Sequence, residues 1–270
     1  MITFRANIIE RHVAVDNVCA WPNIKRLPNG EVGVFIFNRP SHGKMEGDIE
    51  LWVSDTGISP WRRRSQVTNH AAGTVRMNMA AGVLANGTIV SLASGWDLSF
   101  RDPIRTQNIL PNVQICRSTN NGTSWHIDEA PICVEDATRF IPFGNIVEGH
   151  DTVGVAMYDC RMDRSDRKSR TSASHFFTSD DGGSGWKQHG VIGRDGYTET
   201  DILPTADGFL AAVRTLADYE HPDDSLGKPR VVISRSDRSG SFWGDHTNLT
   251  LPNQHQGNLA RLADGRILFT

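Results

Sequence analysis

Two short patterns alternate along this 270-residue chain and constrain its fold more than any other feature. The first is an apolar run leading into a tight Asn-Gly or Asp-Gly turn, whose glycines are Gly30, Gly87, Gly208 and Gly265. These glycines are 57, 121 and 57 residues apart, so the long interval is about twice the short one. A further turn is therefore expected at residues 148–151 (EGHD), which apolar runs flank on both sides.

The second pattern is a serine followed seven residues later by a tryptophan. It occurs at residues 54–61, 118–125, 179–186 and 236–243. Asn-Gly and Asp-Gly turns between apolar runs are strong β-hairpin signals, because both central turn positions need a positive φ. Each repeat of about 60 residues therefore contains two hairpins, or four antiparallel strands. Such a unit buries both of its apolar faces only by stacking on neighbours around an axis, which predicts a β-propeller.

Residues 179–186 (SDDGGSGW) match the Asp-box S-x-D-x-G-x-x-W, and the other three copies are variants of it. Asn120, Arg238 or Thr56 replaces the aspartate in those copies. Four copies in register with the hairpin glycines resemble the repeats of the sialidase superfamily. The resemblance implies an all-β, sialidase-like β-propeller in which each Asp-box forms the turn between the third and fourth strands of a blade. It also implies that the Asp-box carboxylate and tryptophan are structural.

The chain is expected to be one propeller domain over residues 1–270. The expected blades lie at about 16–70, 71–135, 136–195 and 196–252, with the start of a fifth at 253–270. Sialidase-like propellers usually have six blades, and an open stack would leave a sheet edge and an apolar face in water. We therefore expect a C-terminally truncated sequence, in which residues 2–9 form an outer strand that closes the last blade of the full protein. A four- or five-bladed ring is the alternative.

Charge and composition narrow the range of partners. The formal charge is −3 and the pI is about 6.4, so no basic surplus is present to bind nucleic acid or an anionic membrane. The family resemblance implies a glycan substrate. Cys19, Cys116, Cys133 and Cys160 are scattered without metal-binding spacing, and we expect free thiols, no metal and no cofactor. The N-terminal residues do not resemble a secretory signal, and the localisation stays open.

In sialidase-like propellers the active site lies on the axis, at the face where the innermost strands begin and where the loops between second and third strands overhang. Mapping that face onto this chain gives two sets of candidates. The candidate catalytic residues are Glu199, Asp48, Glu46 and His42. The candidate substrate-binding residues are Arg214, Arg39, Arg76, Trp21, Asn78 and Gln256.

Glu199 and Arg214 give the best match to the sialidase pattern. Sialidases place a glutamate at the start of the inner strand of a central blade, and an arginine about one hairpin later on its second strand. Glu199 and Arg214 flank the turn glycine Gly208 in that way. By resemblance, Glu199 would activate the nucleophile and Arg214 would bind an anionic group of the substrate. The structural alternative is a solvated glutamate at a strand entrance and an arginine paired on a strand.

The acid/base of sialidases is an aspartate on the overhanging loop of the first blade. The loop at residues 39–48 offers Glu46, Asp48 and the titratable His42 for this role, because partial burial in such a loop moves a pKa toward the working pH. Asp159 and Asp163, on the equivalent loop of the third blade, compete with them.

Two elements of the sialidase site have no counterpart in this sequence. The first substrate-binding arginine normally opens the first blade in an R-I-P motif, whereas residues 19–23 (CAWPN) contain no arginine. The tyrosine nucleophile belongs to the last blade, and Tyr158, Tyr197 and Tyr219 lie too early in the chain to match it. The first departure argues against sialic acid itself as the substrate.

Three functions remain open from the sequence. The first is a sialidase-like glycoside hydrolase that removes terminal, acidic sugars, which Glu199, Arg214 and the charged first-blade loop favour. The second is a polysaccharide lyase or rhamnosidase-type enzyme that uses His42 or His255 while an arginine neutralises a uronate. The third is a non-catalytic glycan-binding or scaffold propeller. Propellers carry unrelated functions, so the fold alone does not choose among them.

Overall fold

The computed structural model describes residues 12–19, 21–99, 109–132, 139–159, 172–215 and 229–270. Eighteen β-strands form the regular structure of these residues, and no helix occurs among them. In chain order the strands are β1 (Asn23–Arg26), β2 (Val32–Phe37), β3 (Ile49–Ser54), β4 (Arg62–Gln66), β5 (Thr74–Val83), β6 (Ile89–Asp97), β7 (Asn112–Ser118), β8 (His126–Pro131), β9 (Phe140–Gly149), β10 (Thr152–Asp159), β11 (Ser174–Ser179), β12 (Lys187–Gly193), β13 (Thr200–Pro204), β14 (Phe209–Thr215), β15 (Arg230–Ser236), β16 (Trp243–Asn248), β17 (Leu259–Arg261) and β18 (Ile267–Phe269).

Consecutive strands pair into antiparallel meanders of four. The first blade is β1-β2-β3-β4, the second is β5-β6-β7-β8, the third is β9-β10-β11-β12 and the fourth is β13-β14-β15-β16. The hairpin β17-β18 follows them. The first strand of each blade is the innermost one, and a short parallel pairing of β5 with β9, at Ala80 and Gly144, joins the second and third blades. This arrangement confirms the predicted all-β propeller architecture.

Apolar side chains form a series of clusters that lie between neighbouring blades. Phe35 of the first blade packs in one cluster with Ile89 of the second, and Leu92 of the second blade packs in another with Phe177 of the third. Similar clusters lie between the third and fourth blades, and between the fourth blade and the β17-β18 hairpin. Each blade therefore buries its faces against its neighbours, and stacking supplies the apolar burial that one blade lacks.

The Asp-box of the third blade is a hydrogen-bonded turn between β11 and β12. Its Asp181 carboxylate accepts hydrogen bonds from the backbone amides of Gly185 (2.8 Å) and Ser184 (2.9 Å) and from the Ser179 hydroxyl (2.7 Å). These bonds, led by the Gly185 amide, hold the pKa of Asp181 below its usual range. Trp186 donates from Nε1 to a carbonyl of the turn and packs against the cluster between the second and third blades.

The variant Asp-boxes keep the turn with other side chains. Asn120 accepts a hydrogen bond from the Ser124 amide (3.0 Å), as Asp181 does from its own turn. In the fourth blade the acceptor is Asp237, which bonds the Phe242 amide (3.1 Å), so the carboxylate lies one residue before Arg238. The tryptophans that close the four turns are Trp61, Trp125, Trp186 and Trp243. Each stands at the beginning of the fourth strand of its blade, at equivalent positions.

The turn expected at residues 148–151 is present. His150 and Asp151 connect β9 to β10, with φ angles of 52° and 62°. Both central residues thus adopt the positive φ of a tight hairpin turn although neither is glycine. This is why the third blade follows the hairpin pattern without an Asn-Gly or Asp-Gly dipeptide.

A buried carboxylate links the inner strands of the third and fourth blades to the last hairpin. Asp201 on β13 accepts hydrogen bonds from the backbone amides of Asn145 on β9 (2.7 Å) and Leu259 on β17 (2.7 Å), and from the Asn145 side chain (2.9 Å). Lys25 on β1 bonds the other side-chain atom of Asn145. Burial raises the pKa of Asp201 to about 6 and lowers that of Lys25 to about 8, while their mutual attraction opposes both shifts.

Some sequence expectations fall outside the described residues. These are the outer strand at 2–9, the thiols of Cys133 and Cys160, and Asp163. Cys19 and Cys116 are free thiols, as expected. In the ranges that the structure describes, no helix is long and apolar enough to cross a membrane.

Candidate functional site

The two edges of the blades have different roles, and we name them here. The entry edge is the one at which the innermost strands β1, β5, β9, β13 and β17 begin, and the turn edge is the opposite one, which carries the Asp-box turns. The loop at residues 38–48 joins β2 to β3 at the entry edge. Its Gly47 carbonyl accepts a hydrogen bond from the Arg76 amide (3.0 Å), and its Asn38 amide donates to the Asp48 carbonyl (3.0 Å). The loop is thus fastened to the beginning of β5.

Glu199 and Arg214 form an ion pair at the entry edge. Glu199 precedes β13, Arg214 lies on β14, and the Arg214 amide donates to the Glu199 carbonyl (2.9 Å). The two side chains bond through Nη1 and Oε2, with 24% of the arginine and 10% of the glutamate side chain exposed. The guanidinium carries further donor hydrogens on Nη2 and Nε. Both residues lie at the entry edge, and an arginine paired on its strand is also what the structural alternative predicts.

Asp48 is buried within a polar network instead of projecting from its loop. Its carboxylate accepts hydrogen bonds from the Thr68 hydroxyl (2.9 Å), from Gln66 Nε2 (3.0 Å) and from His70 Nδ1 (2.7 Å). Only 3% of the residue is exposed. Three donors occupy the carboxylate, so it orients its neighbours, above all His70.

His70 bridges two of the candidate acids. Its Nδ1 contacts Asp48, and its Nε2 lies 3.5 Å from the Glu46 carboxylate, which also accepts a hydrogen bond from the Gly73 amide (2.7 Å). The imidazole is partly exposed at the entry edge between β4 and β5. Sequence reasoning missed His70 because a single histidine in a connecting loop belongs to no motif. His70 also lies 22 residues from Asp48, and nothing in the sequence indicated that the two side chains meet.

Aromatic side chains form a half-buried surface beside this network. The rings of Trp21 and His42 are 4.7 Å apart between centroids and tilted by 59°. Trp21 and Trp96 pack against Met77, and Trp96 donates from Nε1 to Asn78 (2.9 Å). Trp21, His42 and Asn78 were expected at this edge. Trp96 was not, because it lies at the far end of β6, where only the pairing with β5 brings it to the entry edge.

Arg76 lies in a different environment from the one expected. Its Nη1 donates to the Asn112 carbonyl (2.7 Å) and its Nη2 to Glu129 (2.9 Å), and only 6% of its side chain is exposed. Burial lowers the pKa of Arg76, and the attraction of Glu129 opposes this shift. The guanidinium is therefore paired inside the second blade, where it serves the packing of β5 on β7 and β8.

Arg39 and Gln256 are exposed at the entry edge. Arg39 donates from Nε to the Glu46 carbonyl (2.9 Å), which holds the loop in shape. Gln256 precedes β17 and has a φ of 76°. Neither side chain contacts Glu199 or Arg214 among the described residues.

Asp159, the competing acid of the third blade, is fully buried. It accepts a hydrogen bond from the Ala173 amide (2.7 Å) and lies 3.4 Å from His175 Nε2. Gln188 bonds the other imidazole nitrogen (3.0 Å). The side chains of Asp159 and His175 are each 2% exposed, and their contact connects β10 to β11. No cluster of three or more possible metal ligands occurs among the residues that the structure describes.

The sequence matches no protein-family model and no curated protein. Solved structures do match. A protein of unknown function from Dyadobacter fermentans DSM 18053 has a TM-score of 0.75 at 18% identity, over 96% of this chain and 76% of its own. The NanB sialidase from Streptococcus pneumoniae has a TM-score of 0.68 at 12% identity, over 98% and 58%. The Hadza microbial sialidase Hz136 has a TM-score of 0.66 at 14% identity, over 92% and 52%.

This chain has a sialidase-like β-propeller fold. The match extends over nearly all of this chain, while the chain spans only 58% and 52% of the two sialidases. At such identities the sialidase-like fold is what the likeness establishes.

Proposed function

We propose that this sialidase-like propeller is a glycoside hydrolase that removes terminal, acidic sugars from glycans. The observation that carries the proposal is the Glu199–Arg214 ion pair at the entry edge. Arg214 is partly exposed and fixed by its partner, so its remaining donors are oriented before a ligand arrives. A planar guanidinium matches a carboxylate bidentately, which favours an acidic sugar.

Glu199 is the better buried member of the pair, and its position supports a role in activating the nucleophile. A carboxylate in this position can accept a proton from a nucleophile that lies beside it. The nucleophile itself has no candidate among the described residues. The proposal therefore assigns to this chain the binding and activation of the substrate and leaves the attacking group unassigned.

His42 and Glu46 are better candidates for the general acid than Asp48. Asp48 already accepts three hydrogen bonds in a buried site, and a proton donor must reach the leaving-group oxygen. His42 and Glu46 are exposed on the same loop. Trp21 and Trp96 next to them offer apolar surface beside polar groups, a combination that is typical of small-ligand sites.

The substrate is proposed as an acidic sugar and not as sialic acid in particular. Residues 19–23 contain no arginine at the place where sialidases carry the first of their carboxylate-binding arginines. A uronic acid has a carboxylate that one arginine can bind. A polysaccharide lyase would also act on a uronate, so the same assay distinguishes a lyase from a hydrolase by the product that is released.

The test is a kinetic assay of the purified full-length protein on sialosides, uronate-terminated and rhamnose-terminated glycans. Arg214→Ala should lower kcat/KM for the acidic substrate by about 100-fold or more, because a charge-assisted bidentate contact is lost. Glu199→Gln should depress turnover and leave the melting temperature close to that of the parent. Arg235→Ala, at an exposed arginine on the turn edge, is the matched control and should leave both unchanged.

The outcomes separate the three functions. Hydrolysis that both variants impair supports the proposal, and release of an unsaturated product would identify a lyase instead. Full activity in both variants would remove Glu199 and Arg214 from the site. Glycan binding without turnover would favour a binding module.

A further inference from the structure

A groove at the turn edge is separate from the site proposed above. It lies between the second and third blades and has a volume of about 470 Å³. Its lining comes from the β6 hairpin turn at residues 86–88, the Asp-box region at 117–126 and the third blade's turn at 181–182. Pockets that bind small ligands commonly have about 300–1,000 Å³, so this groove is large enough for one.

Arg117 is the unusual residue of this groove. It is half-buried on β7, and its Nε is buried without a hydrogen-bond partner. Within the described part of the chain, no residue forms a hydrogen bond or an ion pair with its guanidinium. A buried donor that lacks a partner costs free energy, as it also does at Nε of Arg76.

The internal repeat shows which side chains the fold accepts at the position of Arg117. Arg117 precedes the Asp-box serine Ser118, just as Val53 precedes Ser54 in the first blade. Val53 is completely buried in the cluster between the first and second blades. The equivalent residues of the other two blades are Thr178, which is buried, and Arg235, which is exposed. Arg117 differs from Arg235 in being partly buried beside a groove.

The same comparison explains why the groove is open. Between the first and second blades, Glu31 pairs with Arg62 and Arg64, and Arg64 donates to the Asn121 carbonyl (3.0 Å), so these side chains fill the corresponding space. Between the second and third blades, the residue that follows the turn glycine is Thr88, which takes the place of Glu31.

The two arginines of the first junction are also absent from the second. The positions of Arg62 and Arg64 after the Asp-box tryptophan are taken by His126 and Asp128, which pair with each other (3.1 Å). None of Thr88, His126 and Asp128 forms an ion pair with Arg117, and Asp181 is the carboxylate that lines the groove.

We infer that this groove binds a small saccharide that carries a carboxylate, with Arg117 as the group that holds the anion. The guanidinium presents forked donors to the carboxylate. The surrounding side chains of Asn86, Thr119 and Ser124 are amides and hydroxyls, which exchange hydrogen bonds with sugar hydroxyls. Asp181 also lines the groove, but its Oδ1 is held by the turn amides. The inference uses no residue of the entry edge and does not rest on the proposed hydrolase.

The experiment is a binding titration of the purified full-length protein, followed by ligand-observed NMR. The probes are glucuronate, methyl glucoside as the neutral sugar, and acetate as the bare anion. Glucuronate should bind saturably and more tightly than either of the other two. Arg117→Val, which installs the residue of the first blade, should weaken glucuronate binding about tenfold or more, because a charge-assisted contact is lost.

Two control variants separate this groove from other arginines. Arg235→Val changes the position equivalent to Arg117 in the fourth blade, where the arginine is exposed, and should leave the affinity unchanged. Because the proposed function also gives Arg214 an acidic sugar to bind, the titrations are fitted for two sites, and Arg214→Ala should remove only the entry-edge site and leave the groove site. Arg117→Val should also melt at the parent temperature or above it, because no contact of the fold depends on the guanidinium.

Four results would overturn the inference. These are absence of saturable glucuronate binding to the parent, equal affinity for acetate, unchanged affinity in Arg117→Val, and loss of all glucuronate binding in Arg214→Ala. A melting temperature that falls by several degrees in Arg117→Val would show a structural role and would also contradict it.

Discussion

The buried carboxylate of Asp201 should make the stability of this propeller depend on pH in an unusual direction. Most native carboxyl groups have lowered pKa values and stabilise a protein as the pH rises. Asp201 is fully buried, and burial raises its pKa from 3.8 to about 6. Between these values the folded chain holds a proton that the unfolded chain releases. Stability contributed by this group is therefore complete below pH 4 and is lost as the pH rises through 6.

The size of the effect follows from the shift. A difference of about two pKa units corresponds to about 3 kcal/mol in the free energy of unfolding. Lys25 is the charged group that attracts the carboxylate, and its own pKa of about 8 keeps it protonated through this range. The hydrogen bonds from Leu259 and Asn145 partly compensate for burial and are already included in the raised value.

The substitution Asp201→Asn isolates this contribution, because an amide of the same shape cannot titrate. Urea unfolding of the parent and the variant should be measured from pH 4 to pH 7.5. A pH-independent difference in the free energy of unfolding between the parent and the variant does not affect the test, because only the change of that difference with pH is predicted. The parent's stability relative to the variant should fall by about 3 kcal/mol between pH 4 and 7.

An exposed carboxyl group provides the control. Asp207 lies in the turn between β13 and β14, and Asp207→Asn should show no such trend against the parent. A difference between the parent and Asp201→Asn that stays constant, or that rises with pH, would refute the reasoning.

Two further predictions concern residues whose role the structure defines as structural. Asp181→Ala should lower the free energy of unfolding, measured in urea, by about 1–3 kcal/mol, because two turn amides lose their acceptor. The control Asp180→Ala removes only an exposed ion pair with Lys187 and should leave the free energy of unfolding unchanged. Equal effects of the two substitutions would contradict the Asp-box assignment. Arg76→Ala should lower the free energy of unfolding by about 1–3 kcal/mol, because the hydrogen bonds from its guanidinium to the Asn112 carbonyl and to Glu129 are lost. Unchanged stability with lost glycan binding would instead put Arg76 in the site.

The candidate site was only partly predictable. Glu199 and Arg214 were predicted together because one hairpin separates them, and the pairing of neighbouring strands follows from turn chemistry. Asp48 was expected as a partly buried acid on the overhanging loop, yet Thr68, Gln66 and His70 enclose it. Its loop position gave no sign of these donors, which arrive from the connection between two blades.

The sequence by itself determined the local architecture of this protein. Turn dipeptides fixed the hairpins, the Ser-to-Trp spacing fixed the turn before each fourth strand, and apolar runs on both sides of those turns required stacked blades. These features depend on φ preferences and on side-chain periodicity, which act over a few residues and can therefore be read along the chain.

Only the tertiary structure decided which polar groups meet. Asp201 bonds an amide 58 residues away, and Arg76 pairs with a carboxylate 53 residues away. The groove beside Arg117 is open because the space that Glu31 and Arg64 fill between the first and second blades is not filled between the second and third blades. Such contacts depend on how the blades are oriented and packed against one another. A buried polar group must form its hydrogen bonds within the protein, and its available partners are the groups that packing places beside it.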